Sequence, residues 1–180
     1  MGTPSLKGGF GYGQMLPSHS RRRYSGTFIN ATTSWWFSAR LTRLMMEPAR
    51  YFVGDAGYII GRVHSIKDSY KRIIGTDIGM NVLARPTLYG AYHHIYVNGR
   101  ESEERILLNL CGQLCENTDL WVKDRPLPKG TAEGDLVVVE NAGAYGYVMS
   151  YQYNGRLRPA EVLVNGTSHY LVRRAENHQD

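Results

Sequence analysis

Cysteine is scarce in this chain: Cys111 and Cys115 are the two among 180 residues. Two thiols do not make a disulfide framework, and no apolar leader follows the N-terminal charges, so a reduced, cytoplasmic setting is expected. Long hydrophobic runs are missing too. None approaches the roughly 18 residues that a membrane span requires. Runs of one charge are equally few. The net charge is +5, yet the only dense basic run is Arg21-Arg22-Arg23, and other basic residues are interleaved with acids. Without a complete recognition motif this argues against a nucleic-acid partner, and a positive field facing an anionic small molecule accounts for the excess. Asn30-Ala31-Thr32 and Asn165-Gly166-Thr167 fit the glycosylation pattern, which in a cytoplasmic chain is a chance match. No internal repeat or low-complexity tract stands out.

What is present is enough apolar residue for one ordinary domain with a real core. Residues 17–43 show no clear period, with β-branched Thr27, Ile29, Thr32 and Thr33 beside the Trp35-Trp36-Phe37 cluster. Leu44-Met45-Met46 reads as a short buried strand. Beyond Tyr51 the texture turns to β. Strands are expected at Tyr58–Val63, Arg72–Asp77, Arg105–Leu110, Asp135–Val139 and Glu161–Val164. Asn165-Gly166, ahead of His169–Val172, is a short-hairpin signal. Turn residues recur every ten or so positions, as in a sandwich or barrel.

Three stretches carry candidate chemistry. In Gly79–His93, Arg85 precedes Pro86, which biases the arginine away from the helical region and lets the proline open a short helical turn. Tyr89 follows Arg85 by four positions, so one turn presents a guanidinium and a phenol, a donor set suited to a carboxylate. Cys115-Glu116 sits in Leu114–Asp119. A free cysteine is most often a small buried hydrophobe, but the acidic neighbour and Asp119 argue for exposure here. Cys111 and Cys115 with His64, His93 and His94 are too loosely spaced for a zinc motif, and no metal is expected. In Gly143-Ala144-Tyr145-Gly146 the small residues permit close approach of the backbone to something flat. The opening Lys7–Gly13 run could cradle an anion, but it lacks the dinucleotide spacing.

Taken together with Glu47-Pro48-Ala49-Arg50, these stretches resemble the C-terminal half of the diaminopimelate decarboxylase family, alanine-racemase-like barrel enzymes that depend on pyridoxal 5'-phosphate (PLP). The resemblance runs with gaps from about Lys7 to Arg174 and is strongest over 76–93, 112–119 and 134–164. It implies a mainly β fold: a C-terminal β-barrel or sandwich domain over residues 51–180, preceded by a remnant of a (β/α)8 barrel over 1–50. It also implies roles. Gly8, Gly9, Glu47, Pro48, Ala49 and Arg50 would surround the PLP phosphate, and Tyr145 would contact cofactor and substrate. Arg50, Arg85 and Tyr89 would hold the distal carboxylate of meso-diaminopimelate, and Glu116 its distal amine. Cys115 would be the catalytic proton donor, since a thiol is a competent general acid near neutral pH. Two departures are visible: Lys7 replaces the first glycine of the family's phosphate loop, and Ala49 replaces the glycine of its Glu-Pro-Gly-Arg motif.

The family's sites form across a homodimer, with the cysteine–glutamate loop reaching the neighbouring subunit. Its cofactor-binding lysine and ring-stacking histidine lie before the glycine loop at which this sequence opens. Lys7, Lys67, Lys71, Lys123 and Lys129 do not match that lysine's motif. The resemblance therefore implies a fragment of a carboxy-lyase making lysine and carbon dioxide, inactive alone. The alternative is a non-catalytic β-domain that binds, or completes the site of, a full-length partner.

Overall fold

The computed structural model describes residues 48–180. Ala49–Asp180 is the second of the chain's two units. Gly8, Gly9 and Glu47, the expected strand at 44–46 and the expected barrel remnant lie outside the described residues.

In the second unit, helix α1 (Ala49–Val53) leads into β1 (Ile59–Asp68) and β2 (Arg72–Thr76), an antiparallel pair. Helix α2 (Arg85–Tyr89) precedes β3 (Ile95–Val97) and β4 (Arg105–Cys111). β5 (Val122–Pro128), β6 (Leu136–Val139) and the hairpin β7 (Glu161–Asn165) and β8 (Ser168–Arg173) follow. Six strands form one sheet in the order β3-β6-β1-β2-β4-β5, antiparallel except for the β2–β4 pair. Its edge strands β3 and β5 approach one another, so the sheet curls into a nearly closed barrel. Among the described residues, β7 and β8 pair only with each other.

The reason for these strands is visible in their sequences. Leu136–Val139 is a β-branched run, and Val137, Val138 and Val139 are all buried, as a strand covered on both faces requires. Ile74, Leu108, Leu110 and Leu127 complete the barrel interior at 0–1% exposure. Each such side chain contributes about 1.5–3 kcal/mol by leaving water. Asn109, a buried polar residue of β4, is satisfied by the Asp124 N–H, which donates to its Oδ1 at 3.0 Å.

The strands expected beyond Tyr51 are all present, within one residue at most ends; β1 runs five residues further, to Asp68. Between residues 100 and 174 the only helical pieces are short 3-10 turns at Asn117–Asp119, Tyr147–Met149 and Tyr153–Gly155. Three local expectations need correction. Arg85 is itself the first residue of α2, because at a helix start the proline that follows sacrifices no internal hydrogen bond. The hairpin turn is centred on Gly166-Thr167, with Asn165 pairing Ser168 as the last strand residue. Gly166 alone takes a positive φ, +60°, which a glycine at the first central place allows. Two strands, β3 and β5, were not expected at all; β5 carries Pro126 and Pro128, which an edge position tolerates.

Candidate active site

Arg50, Arg85 and Tyr145, drawn from three separate stretches of sequence, meet in the fold. The Arg50 and Arg85 guanidinium carbons each lie 5.7 Å from the centre of the Tyr145 ring, within cation–π range. Arg85 enters from the start of α2 and is 4% exposed. Gly90, at φ +60°, ends this short helix by donating its N–H to the Pro86 carbonyl at 3.0 Å. Tyr89 shares the helix at a different depth, 43% exposed, so the aromatic ring beneath the Arg85 guanidinium is that of Tyr145.

Tyr145 sits at φ +61°, a left-handed conformation that costs a non-glycine residue roughly 1–2 kcal/mol. The loop around it is fixed by backbone contact with the α1 side. Ala142 N–H donates to Gly57 O at 2.8 Å and Gly143 N–H to Gly54 O at 3.0 Å. A Cβ on Gly143 would stand 1.9 Å from the Val53 carbonyl oxygen, and one on Gly146 2.3 Å from that of Ala142. These glycines admit a neighbouring backbone rather than a flat ligand, which corrects the sequence reading of that stretch.

His93, close enough to Arg85 and Arg50 to feel their charge, is 3% exposed. Its Nδ1 is 3.0 Å from the Glu140 carbonyl oxygen, which can only accept, so Nδ1 carries the proton. Burial holds the imidazole below its ordinary pKa of 6.5; the Glu140 contact opposes this, and Arg85, Arg50 and Arg125 reinforce it. Among the described residues, His93 Nε2 and Arg50 Nε are buried without a hydrogen-bond partner. Two guanidinium groups, one with its Nε–H unmet, and an aromatic ring form a donor set that fits an anionic, conjugated group such as PLP, or a substrate carboxylate.

Cys115 and Glu116 form a second cluster. Cys115 is exposed and free. Asn154 Nδ2 donates to its Sγ at 3.4 Å, and the Tyr153 hydroxyl donates to Glu116 Oε2 at 3.3 Å. The exposure expected of Cys115 is found, but not for the reason given: Asp119 is itself 1% exposed and binds backbone amides. The two clusters are linked where the Thr87 hydroxyl of α2 donates to Thr118 O at 3.2 Å. Pro48 is partly buried and Ala49 opens α1. Among the described residues no group of three or more potential ligands could hold a metal, and no helix is long and apolar enough to cross a membrane. Sequence reading missed His93 as a site residue, along with Tyr153 and Asn154. Only the αL-prone Asn154-Gly155 pair offered a signal, and that signal was for a turn.

A curled β-barrel bearing a cation-flanked tyrosine at φ +61° defines a recognisable class. Residues 24–143 match the model of the pyridoxal-dependent decarboxylase C-terminal sheet domain, and the chain belongs to that family. Within the family its similarity is to diaminopimelate decarboxylases. It is 47% identical over 138 residues to the enzyme of Methanothermobacter thermautotrophicus, covering 76% of this chain and 32% of that protein. It is 45% identical over 139 residues to the enzyme of Archaeoglobus fulgidus, covering 77% and 33%. The crystal structure of the M. jannaschii diaminopimelate decarboxylase in complex with L-lysine superposes with a TM-score of 0.73 at 35% identity, covering 85% of this chain and 35% of that one. The chain thus spans about a third of the length of the curated relatives it matches.

Proposed function

We propose that this chain supplies the C-terminal part of a diaminopimelate decarboxylase, which converts meso-2,6-diaminopimelate to L-lysine and carbon dioxide in lysine biosynthesis. The observation that carries the reading is the convergence of Arg50 and Arg85 on the Tyr145 ring. The named relatives support it, as does the L-lysine bound to the M. jannaschii enzyme.

PLP supplies the electron sink that decarboxylation requires. The chain's own residues would do the rest. Arg50, with Pro48 and Ala49 beside it, holds an anionic group on the cofactor side, where Tyr145 offers its ring. Arg85 presents a buried guanidinium to the distal carboxylate, with Tyr89 adding a phenolic donor at the helix end. A charged donor held at 4% exposure interacts with a carboxylate more strongly than it would in water. Glu116 accepts hydrogen bonds from the distal ammonium. Cys115 holds the proton on Sγ and delivers it to one face of the product carbon. Ornithine lacks the second carboxylate, so Arg85 is the residue that favours the dicarboxylic substrate.

The same reading makes the protein a cytoplasmic homodimer without a nucleic-acid partner. A second reading, in which the domain completes the site of a full-length partner, is favoured by the outward exposure of the Cys115 loop. The test is a chimera in which residues 49–180 replace the matching part of the M. jannaschii enzyme. It should decarboxylate diaminopimelate. Faster turnover of ornithine, or none of diaminopimelate, would refute the assignment. Activity appearing only when the chain is mixed with an intact enzyme whose own cysteine has been removed would establish the second reading.

A further inference from the structure

The geometry points to Asp119 as the positioning residue that fixes the Cys115–Glu116 loop against the turn leading into the Arg85 helix. This rests on the proposed roles of Cys115 and Glu116, and the argument starts from how that loop is held.

On its outer side the loop is held by exposed side-chain contacts: Tyr153 and Asn154 at 3.3 and 3.4 Å, Arg156 donating to Gln113 O at 3.2 Å, Thr87 donating to Thr118 O at 3.2 Å, and the Thr118 hydroxyl donating to Met80 Sδ at 3.2 Å. Its inner side is organised by one carboxylate. Asp119 Oδ2 accepts the N–H of Leu114, the residue before Cys115, at 2.8 Å. Asp119 Oδ1 accepts the N–H of Met80 at 2.6 Å. Met80 belongs to the turn whose Gly79 carbonyl accepts the N–H groups of Val82 and Leu83, both at 3.0 Å, and this turn runs directly into α2. The Asp119 backbone closes the loop at both ends, accepting from Gly112 N–H and donating to Glu116 O, each at 3.0 Å.

Two glycines make room for the carboxylate. A Cβ on Gly79 would stand 2.7 Å from Asp119 Oδ1, and one on Gly112 2.4 Å from Oδ2. The residue type is also specific. An ionised carboxylate accepts at both oxygens, whereas asparagine would turn an N–H₂ toward one of the two amides. Burial pushes the Asp119 carboxyl up, against the pull of the Met80 and Leu114 amides and of Arg156. A carboxylate kept buried at that cost, bridging the segments that carry Cys115 and Arg85, sets the proton donor relative to the carboxylate-binding helix.

The test is Asp119→Asn, in the 180-residue chain and in the chimera described above. In the chain, the Leu114 and Met80 amides should exchange with solvent at least about tenfold faster, while the β4 and β6 strand amides keep their rates. Iodoacetamide labelling of exposed Cys115, read against half-buried Cys111, should change in rate for Cys115 alone. In the chimera, turnover per bound cofactor should fall at least about tenfold. Decarboxylation in D₂O should give a single configuration at the monodeuterated carbon with Asp119, and a mixture with the variant. Uniform acceleration of all amides with unchanged turnover per bound cofactor and one configuration would reduce Asp119 to a structural role and overturn the proposal. Should the variant be insoluble, Gly79→Ala displaces the same carboxylate and must reproduce the pattern; wild-type exchange and labelling there would equally overturn it. An inactive parent chimera would instead count against the decarboxylase reading, leaving the exchange and labelling results to decide the role of Asp119.

Discussion

Replacing Gly143 by alanine should separate Arg50 from Tyr145 at a calculable cost. The new Cβ would lie 1.9 Å from Val53 O and 2.8 Å from Gly57 N, and both are backbone atoms that no rotamer change can move. The loop must therefore pull away from residues 53–57. That strains or breaks the Ala142 N–H bond to Gly57 O and the Gly143 N–H bond to Gly54 O. Two weakened hydrogen bonds with partly unsatisfied groups amount to about 2–4 kcal/mol. At roughly 3–5 °C per kcal/mol for a domain of this size, the midpoint of thermal unfolding should fall by roughly 6–20 °C. Gly90→Ala is the reference. It replaces a glycine at positive φ, +60°, which Gly143 is not, but the space there is open, so it should cost only about 1 kcal/mol. Both are measured by circular dichroism melts of the 180-residue chain. A Gly143→Ala midpoint no lower than that of Gly90→Ala would show that the loop is not pinned as described.

Because burial holds the folded His93 below its ordinary pKa of 6.5, the unfolded chain binds more protons just below that pH. Stability should therefore be complete above about pH 6.5 and decline as the pH falls toward the folded value. His93→Asn, which keeps a donor for Glu140 O, should flatten this slope in urea titrations; equal slopes would contradict it. The described lysines, Lys67, Lys71, Lys123 and Lys129, are all exposed, and Lys71 and Lys129 pair with Asp124 and Glu104. Incubating the 180-residue chain with PLP and reducing with borohydride should consequently scatter the label over several lysines, with no decarboxylation; trapping on a single lysine would refute this.

Most of the barrel was legible because its strands are local signals. Leu136–Val139 and Arg105–Cys111 are apolar runs whatever they pair with. β5 was hidden: Lys123-Asp124-Arg125-Pro126 reads as a polar turn until Asn109, on the neighbouring strand, is seen accepting the Asp124 N–H. For the site, the motif resemblance pointed to Arg50, Arg85 and Tyr145, but their meeting on one ring depends on contacts up to 95 positions apart, beyond any local pattern. The same holds for Asp119. Its spacing from Cys115 suggested an acidic surface, whereas its carboxylate is buried because the amides of Leu114 and Met80 offer two donors there. Tyr145 at φ +61° is the reverse case. An aromatic residue is a poor choice for that conformation, and the proposed contact of its ring, 5.7 Å from both arginines, with cofactor and substrate would be the functional reason.

The account turns on Arg85 as the group that recognises a second carboxylate, and the most direct measurement is the Arg85→Leu variant of the chimera, assayed on diaminopimelate and ornithine. Loss of a bidentate charged contact should cost about 3 kcal/mol, lowering kcat/KM for diaminopimelate by roughly 100-fold. Ornithine turnover should change little, so the preference for the dicarboxylic substrate collapses. Diaminopimelate turnover within about twofold of the parent chimera, or equal losses on both substrates, would contradict the assignment of this site.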